Sequence, residues 1–276
     1  MKHKIRMVGF DLDGTLLTTD KKLTEYTKEV LCQAAEKGVV ILPVTGRPFS
    51  GLPKEVIDME EVRYAVTSNG ARIVDVKGGE TLFEKALNRE KAGKILDILG
   101  EYDTLREIYY NGTGYADAEK LNNISHYVTS PAMADYICNT RIPVENVMDK
   151  FQAEKRDLDK VQGLFAVAEQ RFEAWRKIEE QVDAEVTGAL NNNVEVMEKG
   201  INKGKAITFM AEKLGIPVEE VMAFGDGAND IAMIEAAGIG VAMANGIPEI
   251  REAADLVAVS NDEDGVAKII EEYILN

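Results

Sequence analysis

The sequence predicts an α/β fold in which a parallel β-sheet, built from both ends of the chain, is interrupted by an inserted α+β domain. Short apolar runs alternate with amphipathic stretches in the first 70 residues, and this rhythm returns near residue 203. Alternating strands and helices are typical of a parallel sheet with right-handed crossovers. The intervening stretch is less regular and more charged. We therefore expect a core at 1–87 and 192–276, and an insertion at 88–191.

The first part of the chain carries three short apolar runs that are typical of buried strands. They are residues 5–10, 39–44 and 65–67. Between the first two, residues 24–37 place apolar side chains at helical spacing, with Thr24 as the N-cap and Gly38 as the stop. A second helix is expected to open at residues 45–48.

The alternation of strands and helices stops shortly before the insertion. Residues 71–83 are predicted to form a hairpin that turns at a Lys-Gly-Gly sequence. Inside the insertion, residues 169–181 form a helical run that carries the single tryptophan, Trp175. We expect the chain to cross between core and insertion at 85–89 and 191–196.

Strands and helices alternate again in the last third of the chain, which predicts a return to the parallel sheet. The strands are expected at 221–224 and 239–243, and the helices at 206–214, 231–237, 248–254 and 265–274.

Composition and charge exclude several classes of function. The 276 residues include 48 acidic and 32 basic ones, so the net charge is −16. A nucleic-acid binder needs a basic face, and none is expected here. Two cysteines, Cys32 and Cys138, and two histidines, His3 and His126, argue against a disulfide framework, a zinc site or a Ser-His-Asp triad. The sequence shows no long apolar run and no signal-peptide pattern, so we expect no membrane partner and a cytoplasmic location.

Two acidic motifs follow predicted strands. Asp11 and Asp13 come directly after the first strand, while Asp226 and Asp230 follow the strand at 221–224. Each motif alone also fits an ordinary acidic turn. Because ligands bind at the carboxyl ends of strands in open α/β sheets, the two motifs together favour one shared site. Several carboxylates at close range need a cation, and their oxygen atoms suit Mg²⁺.

Two further features are typical of an anion site. Thr45 and Gly46 stand where a strand is expected to end and a helix to begin, and they offer a hydroxyl and backbone N–H groups. Lys203 stands at another expected helix start and offers an ammonium group. Taken singly, the first feature also fits a capping threonine and the second a solvated lysine.

The motifs DLDGT, TGR, a lysine before a helix, and GDGxND, in that order, resemble those of the haloacid dehalogenase (HAD) superfamily. The large insertion between the second and third motifs, together with SNGA at 68–71, is similar to the Cof-type phosphatases with a type II (C2B-like) cap. The resemblance covers essentially the whole core. It implies a Rossmann-like core with an inserted cap, and a Mg²⁺-dependent phosphatase acting on small phosphomonoesters such as sugar phosphates.

The resemblance also implies roles for the four aspartates. Asp11 would be the nucleophile that forms an aspartyl-phosphate, and Asp13 the general acid and base. Mg²⁺ would be held by the Asp11 side chain, the Asp13 backbone carbonyl and Asp226. Asp230 would support the metal indirectly, either by holding a residue that binds it or through a water molecule. Because both acids of the first motif are present, hydrolysis or phosphoryl transfer is favoured over the dehalogenase reaction.

The oxygens of the transferring phosphoryl group have their own set of partners in this resemblance. They are Thr45, Gly46, Lys203 and Asn229. Lys205 competes with Lys203, but the family pattern favours the lysine before Gly204. Asn202 replaces the serine that many relatives have there, with no expected consequence for the mechanism. Arg47 either contacts substrate or orders its loop.

In this family the cap recognises the leaving group, which here is expected to come from a small phosphorylated metabolite. The candidate readers are Tyr110, Asn111, Tyr115, His126, Arg141 and Trp175; ordinary packing is the alternative for Trp175, and a solvated or paired surface charge for Arg141. Two other functions remain open at this point. One is a phosphotransferase or phosphomutase using the same site, and the other is a non-catalytic module that binds phosphometabolites. The intact Asp13 argues against the second, since a binding module needs no general acid.

Overall fold

The structure is a computed structural model that describes residues 4–276, so His3 and the first residues of the predicted 1–87 segment lie outside the described residues. The chain divides into two compact units. The first unit comprises the residues up to Gly46, Leu52–Leu82 and Asn202–Asn276; the second comprises Arg47–Gly51 and Phe83–Ile201. The second unit is thus longer at both ends than the predicted insertion at 88–191.

Strands and helices alternate through much of the described chain. In chain order the strands are β1 (Met7–Phe10), β2 (Val40–Pro43), β3 (Tyr64–Thr67), β4 (Arg72–Asp75), β5 (Glu80–Glu84), β6 (Thr104–Tyr110), β7 (Thr113–Asp117), β8 (Arg141–Val144), β9 (Lys160–Phe165), β10 (Ala184–Thr187), β11 (Asn193–Glu198), β12 (Val221–Gly225), β13 (Ile239–Met243) and β14 (Leu256–Ala258). The α-helices are α1 (Glu25–Glu36), α2 (Lys54–Ile57), α3 (Arg89–Gly100), α4 (Ala118–Asn122), α5 (Pro131–Thr140), α6 (Val147–Glu154), α7 (Gln170–Gln181), α8 (Lys203–Lys213), α9 (Ile231–Ala236), α10 (Pro248–Ala253) and α11 (Gly265–Ile270).

The first unit is built on a parallel sheet with strand order β14-β13-β12-β1-β2. All four residues of β1 are buried, as expected for a central strand with both faces covered. Thr24 caps α1 as predicted, because its side chain accepts a hydrogen bond from the Thr27 N–H, and Gly38 follows the helix with φ of 85°. The predicted α/β class with a parallel core sheet is confirmed.

The strand predicted at 65–67 forms as β3, and Val66 makes a parallel bridge to Val44, directly after β2. Its main pairing is different from the one expected, because β3 pairs antiparallel with β4 in a sheet of order β3-β4-β5. One local prediction in the first unit was wrong. The helix expected to open at 45–48 is missing: a short 3₁₀ turn forms at Phe49–Gly51, and α2 begins only after Pro53. The residue before a proline is disfavoured in helical conformation, which separates the two turns.

The end of the chain differs from the prediction in two details. The short edge strand β14 was not predicted, because three residues carry too little periodicity to stand out. The helix predicted at 265–274 ends as an α-helix at Ile270 and continues as a wider turn at Glu271–Leu275.

The second unit contains a sheet of order β10-β11-β9-β6-β7-β8, in which all pairs are antiparallel except β7 with β8. Helices α3 and α7 pack together over an apolar cluster that includes Ile95, Ile108 and Ile178. The crossing expected at 191–196 overlaps β11, which is held by pairing with β9 and β10, so the chain leaves this unit only after Ile201.

Among residues 4–276, no helix combines the length and the apolar character that a membrane span requires.

Candidate active site

The three carboxylates predicted at the ends of two strands converge in the structure. Strands β1 and β12 are paired neighbours, with Phe10 opposite Phe224, so the loops that follow them start side by side. Carboxylate oxygens of Asp11, Asp226 and Asp230 all lie within 4.8 Å of one another. Two independent acidic turns would not produce this arrangement, which therefore favours a single site.

Lys203 inserts its ammonium group among these acids. It is the first residue of α8, whose start is capped by the Asn202 side chain, and it is fully buried. Its Nζ lies 2.8 Å from Oδ1 of Asp11 and 2.5 Å from Oδ1 of Asp230. Burial alone would lower the pKa of Lys203, but the two carboxylates raise it above its ordinary value. Lys205, the competing candidate, is exposed.

Asp230 holds the second acidic loop in place. Its Oδ2 accepts hydrogen bonds from the backbone N–H groups of Asp226 and Gly227, each at 3.0 Å. Together with the Lys203 contact, these bonds occupy most of the hydrogen-bonding capacity of the carboxylate. The arrangement fits the supporting role that was expected of Asp230.

Asp226 is fixed from the first acidic loop as well. Its Oδ1 accepts a hydrogen bond of 2.8 Å from the hydroxyl of Thr15. Gly14 makes this approach possible: it has φ of 78°, and a Cβ atom there would lie 2.3 Å from Oδ2 of Asp226. Thr15 was missed in the sequence, although it stands inside the quoted DLDGT motif.

The charges of this cluster suit a divalent cation. Burial raises the pKa of Asp11 to about 7, with Lys203 opposing the rise and the charges of Asp230 and Asp13 adding to it. Burial, followed by the charges of Asp230 and Asp11, raises the pKa of Asp226 to about 8. When all three carboxylates are ionised, one ammonium leaves an excess of negative charge on an all-oxygen donor set. Such a set fits Mg²⁺.

Asp13 lies apart from the three-carboxylate group. Its side chain is about one-quarter exposed and forms an ion pair of 2.7 Å with Lys21. Because its carboxylate is not among the three that converge, the backbone carbonyl is the part of Asp13 assigned to the predicted metal contact. Lys21 has φ of 63° and was not noticed in the sequence, where a single lysine carries no signal.

Two of the predicted phosphate partners, Thr45 and Asn229, are linked through Asn69, a residue that sequence reasoning did not single out. The backbone carbonyl of Thr45 accepts a hydrogen bond of 3.0 Å from the N–H of Asn69. The Nδ2 of Asn229 donates to Oδ1 of Asn69 at 3.1 Å. Thr45 is buried and Gly46 partly so, but neither begins a helix, which contradicts the helix-start expectation for this pair. The only sequence signal for Asn69 was the SNGA motif.

Arg47 orders its own loop. Its Nη1 donates a hydrogen bond of 3.0 Å to the carbonyl oxygen of Gly51, and its guanidinium lies 4.1 Å from the ring centroid of Tyr136. These contacts support the second of the two roles expected for Arg47, which is to order its loop.

The candidate leaving-group readers of the second unit lie in different environments. Asn111 accepts a hydrogen bond of 3.1 Å from Arg156, whose guanidinium also lies 4.8 Å from the ring of Tyr110. Tyr115 lies near Lys150, with 4.6 Å between the ammonium and the ring centroid.

Two further candidates, His126 and Trp175, also differ from each other in their surroundings. His126 is exposed and contacts Asp103 at 2.7 Å. Trp175 packs against the apolar cluster under α3 and α7, which agrees with the packing alternative.

Arg141 belongs to a buried polar face of the second unit's sheet. Its Nε lies 3.1 Å from Glu107, and the hydroxyl of Tyr109 also donates to Glu107. On the same sheet the ammonium of Lys160 contacts Glu195 at 2.5 Å and Gln162 at 3.0 Å. Sequence reasoning missed these partners, although polar residues two apart in otherwise apolar strands were a usable signal.

Comparisons with known proteins agree with this geometry. The sequence model of the family described as haloacid dehalogenase-like hydrolase matches residues 8–270. YxeH of Bacillus subtilis is 31% identical over 98% of both chains. The 5-amino-6-(5-phospho-D-ribitylamino)uracil phosphatase YcsE of the same organism is 28% identical, covering 98% of this chain and 96% of its own.

A solved structure described as the HAD subclass IIB sugar phosphatase BT4131 has a TM-score of 0.83 and 26% identity, over 97% of this chain and 98% of its own. The predicted assignment of an enzyme that hydrolyses phosphoric monoesters is confirmed by these relatives. The chain belongs to the haloacid dehalogenase-like hydrolases.

Proposed function

We propose that this enzyme hydrolyses small phosphomonoesters in a Mg²⁺-dependent reaction that passes through a phosphorylated Asp11. The observation that carries the proposal is the position of Lys203, whose ammonium contacts both Asp11 and Asp230 inside the three-carboxylate cluster. An adjacent cation opposes the rise in pKa that burial causes in Asp11 and so favours the ionised carboxylate, which is the form needed for attack on phosphorus.

The first half-reaction transfers the phosphoryl group to the enzyme. An oxygen of Asp11 attacks the phosphorus atom, and the bond between phosphorus and the ester oxygen breaks. The leaving oxygen takes its proton from the carboxyl group of Asp13. Asp13 is proposed for this duty because it lies two residues from Asp11 and outside the three-carboxylate group. Its carboxylate is paired with Lys21, so it must take up a proton before it can act as the acid.

The second half-reaction returns the enzyme to its starting state. Asp13, now ionised, accepts a proton from a water molecule, whose oxygen attacks the phosphorus atom. The bond between phosphorus and Asp11 breaks, which releases inorganic phosphate and restores the carboxylate.

The proposed phosphate partners all belong to the first unit, and one of them, Lys203, contacts the proposed nucleophile. Lys203 supplies a buried positive charge, while Thr45, Gly46 and Asn229 supply neutral donors. Donors that are already in place stabilise the charge that develops on the phosphoryl oxygens at no reorganisation cost.

The residues fit a resident Mg²⁺ ion. Asp11, Asp226 and the backbone carbonyl of Asp13 would hold it, and Asp230 would support Asp226 through the hydrogen bonds described above. When bound, the ion neutralises charge between the nucleophile and the phosphoryl group.

For the substrate class, we propose phosphorylated sugars or related polyhydroxylated metabolites. Two relatives support this choice: one is named a sugar phosphatase, and the other a phosphatase of a ribityl phosphate compound. We also propose that the second unit is the cap that selects the leaving group. The support for this is its sheet face of buried charged and amide side chains, among them Arg141 and Lys160.

The test is release of inorganic phosphate from a panel of sugar phosphates, nucleotides and cofactor phosphates. Wild type and Asp11→Asn are compared with Mg²⁺ and with EDTA, and thermal unfolding verifies that both proteins are folded. We expect release that requires Mg²⁺ and is lost in the variant. Release that persists in EDTA or in Asp11→Asn would overturn the proposal. Transfer of the phosphoryl group to an added acceptor sugar in place of release would assign the site to a phosphotransferase.

A further inference from the structure

The turn that follows β3 has an unusual backbone. Ser68, Asn69 and Gly70 have φ values of 51°, 56° and 103°, so three consecutive residues lie in the left-handed region. Glycine tolerates this region, whereas residues with a Cβ atom pay for it with strain, asparagine less than most. Strained backbone persists where surrounding contacts determine it, and it is enriched at functional sites.

The contacts of this turn reach each of the three segments that carry the proposed phosphate partners. The Asn69 N–H donates to the carbonyl oxygen of Thr45 at 3.0 Å, and its Oδ1 accepts from Nδ2 of Asn229 at 3.1 Å. Gly70 packs so closely on the start of α8 that a Cβ atom there would lie 2.7 Å from the carbonyl oxygen of Asn202. The next residue, Lys203, is the buried ammonium of the site.

The hydrogen bond from Asn229 to Asn69 decides which end of the Asn229 amide is available. A side-chain amide has one oxygen and one NH₂ group with two hydrogens. One hydrogen of Nδ2 is taken by Asn69, and Oδ1 lies on the side of Gly227, where a Cβ atom would be 2.8 Å away from it. The second N–H of Asn229 is thereby fixed as a donor, and a phosphoryl oxygen accepts only from donors.

We propose that Asn69 is a positioning residue for phosphoryl transfer: its side chain holds the amide of Asn229 with an N–H presented to the phosphoryl group. This inference rests on the proposed function, in which Asn229 binds that group. Asparagine is suited to the position because it tolerates the left-handed backbone while supplying the acceptor oxygen. Glycine would satisfy the backbone equally well but has no acceptor.

That difference provides the test. Asn69→Gly keeps the left-handed backbone and the N–H that donates to Thr45, but removes the acceptor for Asn229. We expect kcat/KM for phosphate release to fall about tenfold, as for a catalytic group that loses its orientation, with little change in thermal stability. Lys155→Gly is the matched control: Lys155 is exposed, has φ of 51° and lies in the second unit, so this variant is expected to keep wild-type activity.

A double-mutant cycle separates positioning from a general structural effect. If Asn69 acts through Asn229, adding Asn69→Gly to Asn229→Ala causes no further loss of kcat/KM. Losses that multiply in the double variant, or an Asn69→Gly variant with wild-type kcat/KM beside an impaired Asn229→Ala, would overturn the inference and leave the proposed function standing. Wild-type activity in Asn229→Ala would instead remove the proposed phosphate contact, and this inference with it.

Discussion

The ammonium nitrogen of Lys203 lies 2.8 Å from Oδ1 of Asp11. The two residues are far apart in the sequence, since Asp11 follows the first strand of the core and Lys203 begins a helix in the last third of the chain. The same nitrogen contacts Asp230, so one cation joins the loop that carries Asp11 to the loop that carries Asp226. The pairing of β1 with β12 brings these loops together, and the cap of α8 by Asn202 places the lysine between them.

Removal of the Lys203 charge is expected to abolish activity and to destabilise the protein. In Lys203→Met the carboxylates of Asp11 and Asp230 lose their buried partner, which typically costs about 3–5 kcal/mol. Urea unfolding in EDTA measures the loss, which is expected to shrink at acidic pH as the carboxylates become protonated. Lys205→Met is the matched control, since Lys205 is exposed on the same helix. Equal stability of the two variants would contradict the account.

Gly14→Ala is expected to weaken Mg²⁺ binding and activity. The new Cβ atom would lie 2.3 Å from Oδ2 of Asp226, which forces this carboxylate to move. Disturbed support of a metal ligand costs about 10–100-fold in affinity. Gly38→Ala is the control, because Gly38 also has positive φ, 85°, but nothing lies within 4 Å of its Cβ position. Titration calorimetry measures the Mg²⁺ affinity of both variants. Because both carry the same kind of backbone strain, a loss of affinity in Gly14→Ala alone is due to the clash with Asp226.

The raised pKa values predict that Mg²⁺ displaces protons. In the metal-free protein the pKa of Asp11 is about 7 and that of Asp226 about 8, against about 3.9 for an unperturbed aspartate. A carboxyl with a raised folded-state pKa contributes stability at low pH, and this contribution is lost as the pH rises from about 4 to about 8.

Mg²⁺ binds the ionised carboxylates, so its affinity is expected to rise between about pH 6 and pH 8, with proton release near neutral pH. Calorimetry in two buffers of different ionisation enthalpy measures the protons released. Affinity that does not change over this range would contradict the assignment of Asp11 and Asp226 as ligands.

In the second unit, Arg141→Met is expected to be strongly destabilising. Glu107 is fully buried, and loss of the guanidinium leaves its charge without the 3.1 Å ion pair, at a cost of about 3–5 kcal/mol. The double variant Arg141→Met/Glu107→Leu removes both charges and is expected to recover most of the stability. Urea unfolding checks both, and an additive effect of the two substitutions would disprove the coupling.

The parts of the site that follow strands could be predicted from the sequence. Apolar runs identify β1 and β12, and in a parallel sheet the residues after such strands share one edge, so Asp11 and Asp226 were expected to meet. Lys203 was expected at the start of a helix, which is also a feature that a local sequence pattern indicates. The structure brings these three residues together.

The contacts that depend on pairing between distant strands could not be predicted. Asn69 and Asn229 are 160 residues apart in the sequence, and periodicity does not reveal that their loops meet, so this contact was not foreseen. The registers of β6 with β9 and of β9 with β11 decide that Glu107 and Lys160 share a buried polar face, and no local pattern encodes those registers.

The central claim is that Asp11 carries the phosphoryl group during turnover, and trapping this intermediate tests it most directly. Asp13→Ala, which lacks the base that activates water, is mixed with Mg²⁺ and acetyl phosphate, whose leaving group needs no proton from the enzyme. The reaction is quenched in acid, and peptide mass spectrometry locates the phosphate. The account predicts phosphate on Asp11, removable by hydroxylamine and missing when Asp11→Asn is added. Phosphate on another residue, or none on Asp11 while inorganic phosphate is still released, would contradict it.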